Sequence, residues 1–293
     1  MKTKSSGPTW LKAKRYKLRC VACDRSGRKM SKEHIWPKWL AERANIKKHG
    51  VAWFDGDKEK RVPPSAATIP LCEECNHELG GKLEGPVSEI FERMEAGAGI
   101  TDRDAEFLVR WMWKFEGLFW NLHHFSDPSA VYSDAYTVRD RVLGPSSLTA
   151  IRPHLTLAVS LIAEQDDVSP DWPIGLDSGL DEYNSIFVSG VFCRTALMVC
   201  LTKFSHLIAP QFGLYSLKSE PSDENEPCFF PPTNFRNPTE AIGVTTRNSK
   251  MLSVAHDIDA AQMAKSAMGL TVRRPRIEIA PSLILPKGKR FRG

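Results

Sequence analysis

The chain reads as an α+β protein in two parts, on three observations. Two Cys-x-x-Cys pairs, Cys20/Cys23 and Cys72/Cys75, enclose a run of short strand, turn and helix signals. An apolar stripe of helical period follows over residues 107–122. Strand-like runs then recur at 155–162, 185–194 and 213–217. With 293 residues there is room for two domains of ordinary size. The expected organisation is a basic arm over 1–19, a cysteine module over 20–96 and an α+β unit over 101–293. A flexible loop is expected at 218–240, which is rich in Pro, Asp, Glu and Asn.

Each element has a local reason. Ser26-Gly27 marks a turn, and 28–35 is short enough for one strand of a hairpin. Residues 37–44, Pro-Lys-Trp-Leu-Ala-Glu-Arg-Ala, form a short helix with proline in its first turn. Gly50, Gly56, Pro63 and Pro64 make 45–68 a long loop with one brief strand near 51–54. Residues 68–71 are a strand leading into the second cysteine pair. A helix starts near Cys75, weakens at Gly80-Gly81 and resumes through 87–94. Ala96-Gly-Ala-Gly99 is a boundary, and Thr101 with Asp104 is a capping arrangement. Behind it Phe107, Leu108, Trp111, Met112, Phe115, Leu118, Phe119 and Leu122 recur at three- and four-residue steps, a core stripe rather than a base-stacking surface. Residues 195–207 suit helix or strand, and 257–268 a short helix.

Charge is unevenly spread. Residues 1–62 hold 18 Lys/Arg against 6 Asp/Glu, and 273–293 hold 7 against 1, while 63–272 hold 15 against 28. Basic ends suit a polyphosphate partner, with a partnerless solvated tail as the alternative. No run of 18 uncharged apolar residues is present, so no transmembrane span is expected, and no membrane partner is expected either. The basic N-terminus lacks an apolar segment behind it and does not read as a secretory signal. With paired cysteines and no export signal, a reduced cytoplasmic setting is expected.

The cysteine pairs are separated by 48 residues, so they meet only through tertiary structure. Two Cys-x-x-Cys turns together complete a tetrahedron around one structural Zn²⁺. Paired disulfides or a redox dithiol are the alternatives. Between the pairs stands Glu33-His34, and Asn76 follows the last cysteine. An imidazole can take a proton from water near neutral pH. A carboxylate and an amide oxygen are hard ligands suited to Mg²⁺ or Mn²⁺. Asn76 alone would be read as a helix cap.

These residues resemble the zinc-stapled branch of the HNH endonuclease family, which has the ββα-metal fold. The resemblance covers 20–94, about a quarter of the chain, through Cys-Val-Ala-Cys, then Ser-Lys-Glu-His-Ile-Trp-Pro-Lys-Trp-Leu, then Leu-Cys-Glu-Glu-Cys-Asn-His-Glu-Leu-Gly-Gly-Lys-Leu-Glu. It implies that His34 is the general base, that Glu33 and Asn76 bind a catalytic Mg²⁺ or Mn²⁺, and that the reaction is hydrolysis of DNA. Glu84 matches a helix glutamate of some relatives, where it acts as a ligand, as a bond to the base or as a surface charge. Two positions depart from the pattern. Ala67 stands where many members carry an Asn that orients the base, and Glu33 stands where Asp is commoner. His77 is a substitute ligand candidate. Phage defence or restriction is a typical setting for such nucleases.

Arg25, Arg28, Lys29, Lys32 and Lys38 are expected to grip the phosphate backbone, with no residues marked for base readout. RNA is a less favoured substrate, and 101–293 is a place for substrate choice, a protein partner or an activator. A non-catalytic zinc-dependent nucleic-acid-binding or scaffolding protein is the alternative function. His123-His124 read as a solvated helix end, and Cys193 and Cys200 as small buried hydrophobes. Cys228 has no evident partner.

Overall fold

The computed structural model describes residues 19–44, 51–55, 58–62, 68–126, 138–144, 151–163, 175–180, 185–220 and 226–266. Most of the basic arm, Ala67 and the arginine-rich tail lie outside these residues. The protein is mixed α+β, with helices and largely antiparallel sheets.

The cysteine module runs through β1 (Met30–His34), α1 (Lys38–Arg43), β2 (Val51–Asp55), β3 (Lys58–Val62) and β4 (Thr68–Cys72) into α2 (Glu73–Leu79). β1 and β4 pair antiparallel, with Met30 opposite Cys72 and His34 opposite Thr68. β2 and β3 form a hairpin, with Val51 opposite Val62, where one brief strand was expected. The signal for it is the two-residue Gly56-Asp57 spacer between strand-length segments. After α2 the chain makes a π-helical turn over Gly80–Glu84, then α3 (Gly85–Glu95). The diglycine that weakens the α-helix is thus where the chain takes the wider turn. α3 ends in a Schellman motif: Ala98 N–H bonds Arg93 O at 2.9 Å and Gly97 N–H bonds Met94 O at 2.9 Å. Gly97 has φ +86°, which glycine adopts without strain.

The capping arrangement forms as read. Asp104 N–H bonds Thr101 Oγ1 at 3.1 Å, and Thr101 N–H bonds Asp104 Oδ2 at 2.9 Å. It opens α4 (Asp102–Ser126), which is followed by α5 (Val138–Leu143). Then come β5 (Leu155–Ile162), β6 (Gly175–Leu180), β7 (Ser185–Phe192), β8 (Thr195–Leu201), β9 (Gly213–Ser216), β10 (Thr233–Phe235) and α6 (Pro238–Ser266). The sheet order is β10-β5-β8-β7-β6, and β9 pairs with the first half of β5 on the edge that β10 continues.

Three sequence expectations need correction here. β6 was not read, because Gly-Leu-Asp-Ser-Gly-Leu offers no β-branched or aromatic residue. The segment read as a flexible loop carries β10, in which Phe235 is buried, and Phe229 bridges to Ile100; residues 221–225 of it lie outside the described ones. α6 begins at Pro238 rather than near 257, capped by Asn237 Oδ1 accepting from Glu240 N–H at 2.9 Å. Its Thr, Ser and Asn residues are weak helix formers. They earn their place by packing: Ser249 meets Ser189 of β7 at 2.6 Å, and Asn248 donates to Leu207 O at 2.7 Å.

One hydrophobic core continues from the cysteine module into the large sheet. Its centre is aromatic. Trp111 of α4 packs edge-on to Phe115 at 4.7 Å, Phe192 of β7 at 4.9 Å and Phe91 of α3 at 5.3 Å. Trp39 of α1 lies 5.8 Å from Trp111, and Trp36 lies 5.5 Å from Phe115. The core stripe of α4 is therefore the wall shared by both parts of the chain.

Trp111→Ala is expected to cost about 3–5 kcal/mol. In a urea titration, tryptophan fluorescence and far-UV circular dichroism should still fall in one coincident transition; two separated transitions would contradict a shared core.

Candidate metal centre and active site

Two tight turns bring four sulfurs together. In the first, Asp24 N–H bonds Cys20 O at 2.8 Å and Cys20 N–H bonds Arg25 O at 3.0 Å. Asp24 takes φ +55°, a conformation that Asp tolerates better than most residues. In the second, Cys72 is the cap of α2, its Sγ accepting from Cys75 N–H at 3.5 Å. Val21 N–H bonds Pro70 O and Glu73 N–H bonds Lys29 O, which fastens the first turn to β4 and α2.

The Sγ atoms of Cys20, Cys23, Cys72 and Cys75 all lie within 4.8 Å of one another, with Cys23 and Cys72 at 3.9 Å. Tetrahedral Zn–S bonds of about 2.3 Å require S···S edges of roughly 3.8 Å. The cluster is compatible with a structural zinc site, and none of these cysteines is in a disulfide. Sulfurs this close share protons unevenly. A hydrogen bond with Cys75 pulls Cys20 down to about 4, the same contact pushes Cys75 up, and burial raises Cys23. From α5, Arg139 donates its backbone N–H to Ala22 O at 2.9 Å and its guanidinium to Glu78 Oε2 at 2.6 Å. The C-terminal part of the chain thus grips the cysteine turns from outside.

Alternation along β1 sets which side chains face inward. Ser31 and Glu33 share the face of Leu71 and Ile69, both fully buried on β4. Asn76, in the first turns of α2, donates Nδ2 to Ser31 Oγ at 2.9 Å, and Ser31 donates to Leu71 O at 3.1 Å. Ser31 and Glu33 are about 7 Å apart along the strand, so Asn76 and Glu33 sit on one face at neighbouring positions.

Glu33 Oε1 accepts from Lys114 Nζ at 2.5 Å, and Glu84 Oε1 accepts from the same nitrogen at 2.6 Å. Glu84 Oε2 accepts from Trp39 Nε1 at 2.9 Å, so donors hold both oxygens of Glu84. The Lys114 side chain is fully buried. Burial alone would pull its ammonium down, but Glu84 and Glu33 more than offset this, and the net direction is upward.

The structure therefore joins Glu33 and Glu84 through Lys114, and links Asn76 to the same strand face. It does not bring His34 to that face. His34 is exposed at the end of β1, on the side of Lys32 and Pro70. His77 is exposed on α2. Arg25, Arg28, Lys29, Lys32 and Lys38 are all exposed. Lys29 pairs with Glu73 at 2.9 Å, while Arg28–Glu74 and Lys38–Glu42 are longer contacts at 4.0 and 3.9 Å. Burial pushes the Cys193 and Cys200 thiols up to about 12, in keeping with small buried hydrophobes. Cys228 is exposed, with its Sγ 3.5 Å from Ile100 O. The side chains of His123 and His124 lie outside the described residues.

Sequence reasoning missed Lys114. The signal was present: Phe107, Trp111, Lys114 and Leu118 follow one another at four-, three- and four-residue steps. A lysine on that core-facing ladder must be paired with buried acids. Arg152 is a second such case. Its buried guanidinium is bonded to Asp102 and Glu106, and Tyr215 Oη donates to Asp102 Oδ1 at 2.8 Å. This network ties α4 to the large sheet. The chain matches no family model, no curated protein and no solved structure.

Lys114→Met leaves two carboxylates buried against each other and should cost about 3–5 kcal/mol at pH 8. Because its folded pKa is raised, Lys114 stabilises the fold fully below the ordinary lysine value of 10.5, and that stability is lost as pH rises through the folded value. Urea midpoints of wild type and variant should differ at pH 8, begin to approach one another above 10.5 and converge only as pH passes the raised folded value; a gap that persists into strong alkali would contradict an ionic role.

Proposed function

We propose that the chain is an endonuclease that hydrolyses DNA phosphodiester bonds with one Mg²⁺ or Mn²⁺, on a module stapled by one Zn²⁺ at Cys20, Cys23, Cys72 and Cys75. The observation that carries the reading is the placement of Asn76. The sulfur cluster fixes the start of α2, and the Asn76 amide reaches Ser31 on the strand face of Glu33. The resemblance to HNH nucleases supplies the roles.

The donor set fits a hard divalent ion. Asn76 spends its Nδ2 on Ser31 and leaves Oδ1 as an acceptor. Glu33 spends Oε1 on Lys114, and its Oε2 makes no hydrogen bond among the described residues. Two protein oxygens suit Mg²⁺ or Mn²⁺, which take waters and phosphate oxygens as their remaining ligands. When bound, such an ion offsets charge developing on the scissile phosphate and the departing 3′ oxygen.

The chain's own residues do the rest. His34, exposed at the end of the antiparallel β1–β4 pair, accepts the proton of the attacking water at a ring nitrogen. Lys32 shares its face and meets the phosphodiester backbone from the solvent side. Arg25 is exposed with no ion pair among the described residues, and adds to this electrostatic grip. RNA is a less favoured substrate, and residues from 101 onward are the place for substrate choice, a protein partner or an activator. Phage defence or restriction is the proposed setting, in the cytoplasm and away from membranes. Among the described residues, no helix is long and apolar enough to cross a membrane.

A second reading has its own observation. His34 and Glu33 lie on opposite faces of β1, and Glu33 is already paired with Lys114. That arrangement favours a zinc-dependent nucleic-acid-binding or scaffolding protein without catalysis.

Plasmid nicking separates the two. Wild type should nick in Mn²⁺ or Mg²⁺ and not in EDTA, and His34→Ala should lose at least a hundredfold in rate with DNA binding retained. Equal binding and no nicking by either protein supports the scaffold. Zinc is checked apart from activity: purified protein should carry one Zn²⁺ per chain. Thiolate coordination supplies about 10 kcal/mol of folding free energy, so Cys75→Ser should be protease-sensitive throughout its shared core.

A further inference from the structure

Lys114 is a cation built into the site rather than bound by it. Its Nζ lies 2.5 Å from Glu33 Oε1 and 2.6 Å from Glu84 Oε1, with no solvent exposure. Two carboxylate oxygens converging on one buried point is what a divalent ion selects, and here the chain's own nitrogen fills that point. The ammonium is carried by α4, between the buried residues Trp111 and Phe115 of that helix, and its side chain is fully removed from solvent. An incoming ion therefore cannot displace it cheaply and must share Glu33 with it.

We propose that Lys114 is a positioning residue that keeps Glu33 a weak ligand for free divalent ions, so that the metal binds firmly only together with the phosphate of a nucleic acid. The inference rests on the reading of Glu33 and Asn76 as the metal-facing pair. Lys114 lowers the charge of the Glu33–Glu84 pair from −2 to −1, in a site where solvent screens little. It also orients Glu33, engaging Oε1 and leaving Oε2. Glu84 offers an ion nothing further, because Trp39 holds its second oxygen. The protein thus presents one carboxylate oxygen and one amide oxygen, fewer than Mg²⁺ or Mn²⁺ needs, and substrate phosphate completes the set. Lys114 comes from the helix that carries the core of the C-terminal part. A partner that shifts α4 would change metal affinity through this one side chain.

The test is Mn²⁺ titration of the zinc-loaded full chain, followed by the EPR signal of free Mn²⁺, without and with a random-sequence DNA duplex. Wild type should bind weakly alone and at least tenfold more tightly with the duplex. Lys114→Met, which keeps an unbranched side chain without charge, should bind at least tenfold more tightly than wild type in the absence of DNA. Glu84→Gln should move the other way, several-fold weaker, because the ammonium then answers Glu33 alone. Opposite signs distinguish the proposal from structural damage, which would weaken both variants. If Lys114→Met fails to hold zinc or to give the wild-type circular dichroism, Glu84→Gln decides alone, provided that its own zinc content and circular dichroism match wild type. Affinity unchanged in that variant, or Lys114→Met folded and binding no better than wild type, overturns the proposal. Should wild type nick plasmid while these affinities stay equal, only the role of Lys114 falls. If none of the three proteins binds Mn²⁺ and wild type does not nick, the nuclease reading falls with it.

Discussion

A charge removed from water must be met by charges held in place, and the Lys114 ammonium is the strictest instance of this in the protein. It obliges β1, the π-helical turn and α4 to converge, because Glu33, Glu84 and the lysine belong to those three elements. The convergence is directional in a way that apolar packing is not. Trp36, Trp39, Phe91, Trp111 and Phe115 pack ring against ring in the same core, but rings tolerate small slips. Two hydrogen bonds donated by one nitrogen do not. The sulfur cluster fixes the outer end of the module and the triad fixes its inner end, and Asn76 lies between them.

The same constraint explains why two parts that look separable in composition share one interior. Residues 1–62 are basic and 63–272 acidic, yet the acids nearest the cysteine turns are spent on local partners. Glu74 and Glu78 answer Arg139, and Glu95 accepts from Arg43 at 2.8 Å and faces the backbone N–H of Arg194. These pairs stitch the cysteine module to α5 and to the turn between β7 and β8. Each is worth little alone at the surface. Their value is registration, since each joins residues far apart in sequence.

What could be read without coordinates was whatever local chemistry dictates. The cysteine spacing gave the cluster, Thr101 and Asp104 gave the start of α4, and the diglycine gave the break between α2 and α3. The long apolar stripe was legible because helical period survives any tertiary context. β6 and the first half of α6 were not, since their residues take those conformations only when the sheet supplies partners. For the candidate site, the four sulfurs and the place of Asn76 were legible in the chain. The split of Glu33 and His34 between faces follows from strand alternation alone. The lysine behind Glu33 escaped notice because its acids lie 81 and 30 residues away.

The continuous interior also sets the smallest portion that could be cut out and kept whole. A fragment stopping at the Gly97 turn would retain all four cysteines and every residue of the family resemblance. It would nonetheless open Trp36, Trp39 and Phe91 to solvent and strand two acids without their counter-charge. The quarter of the chain that carries the four-cysteine cluster is therefore not an autonomous module that could be grafted elsewhere.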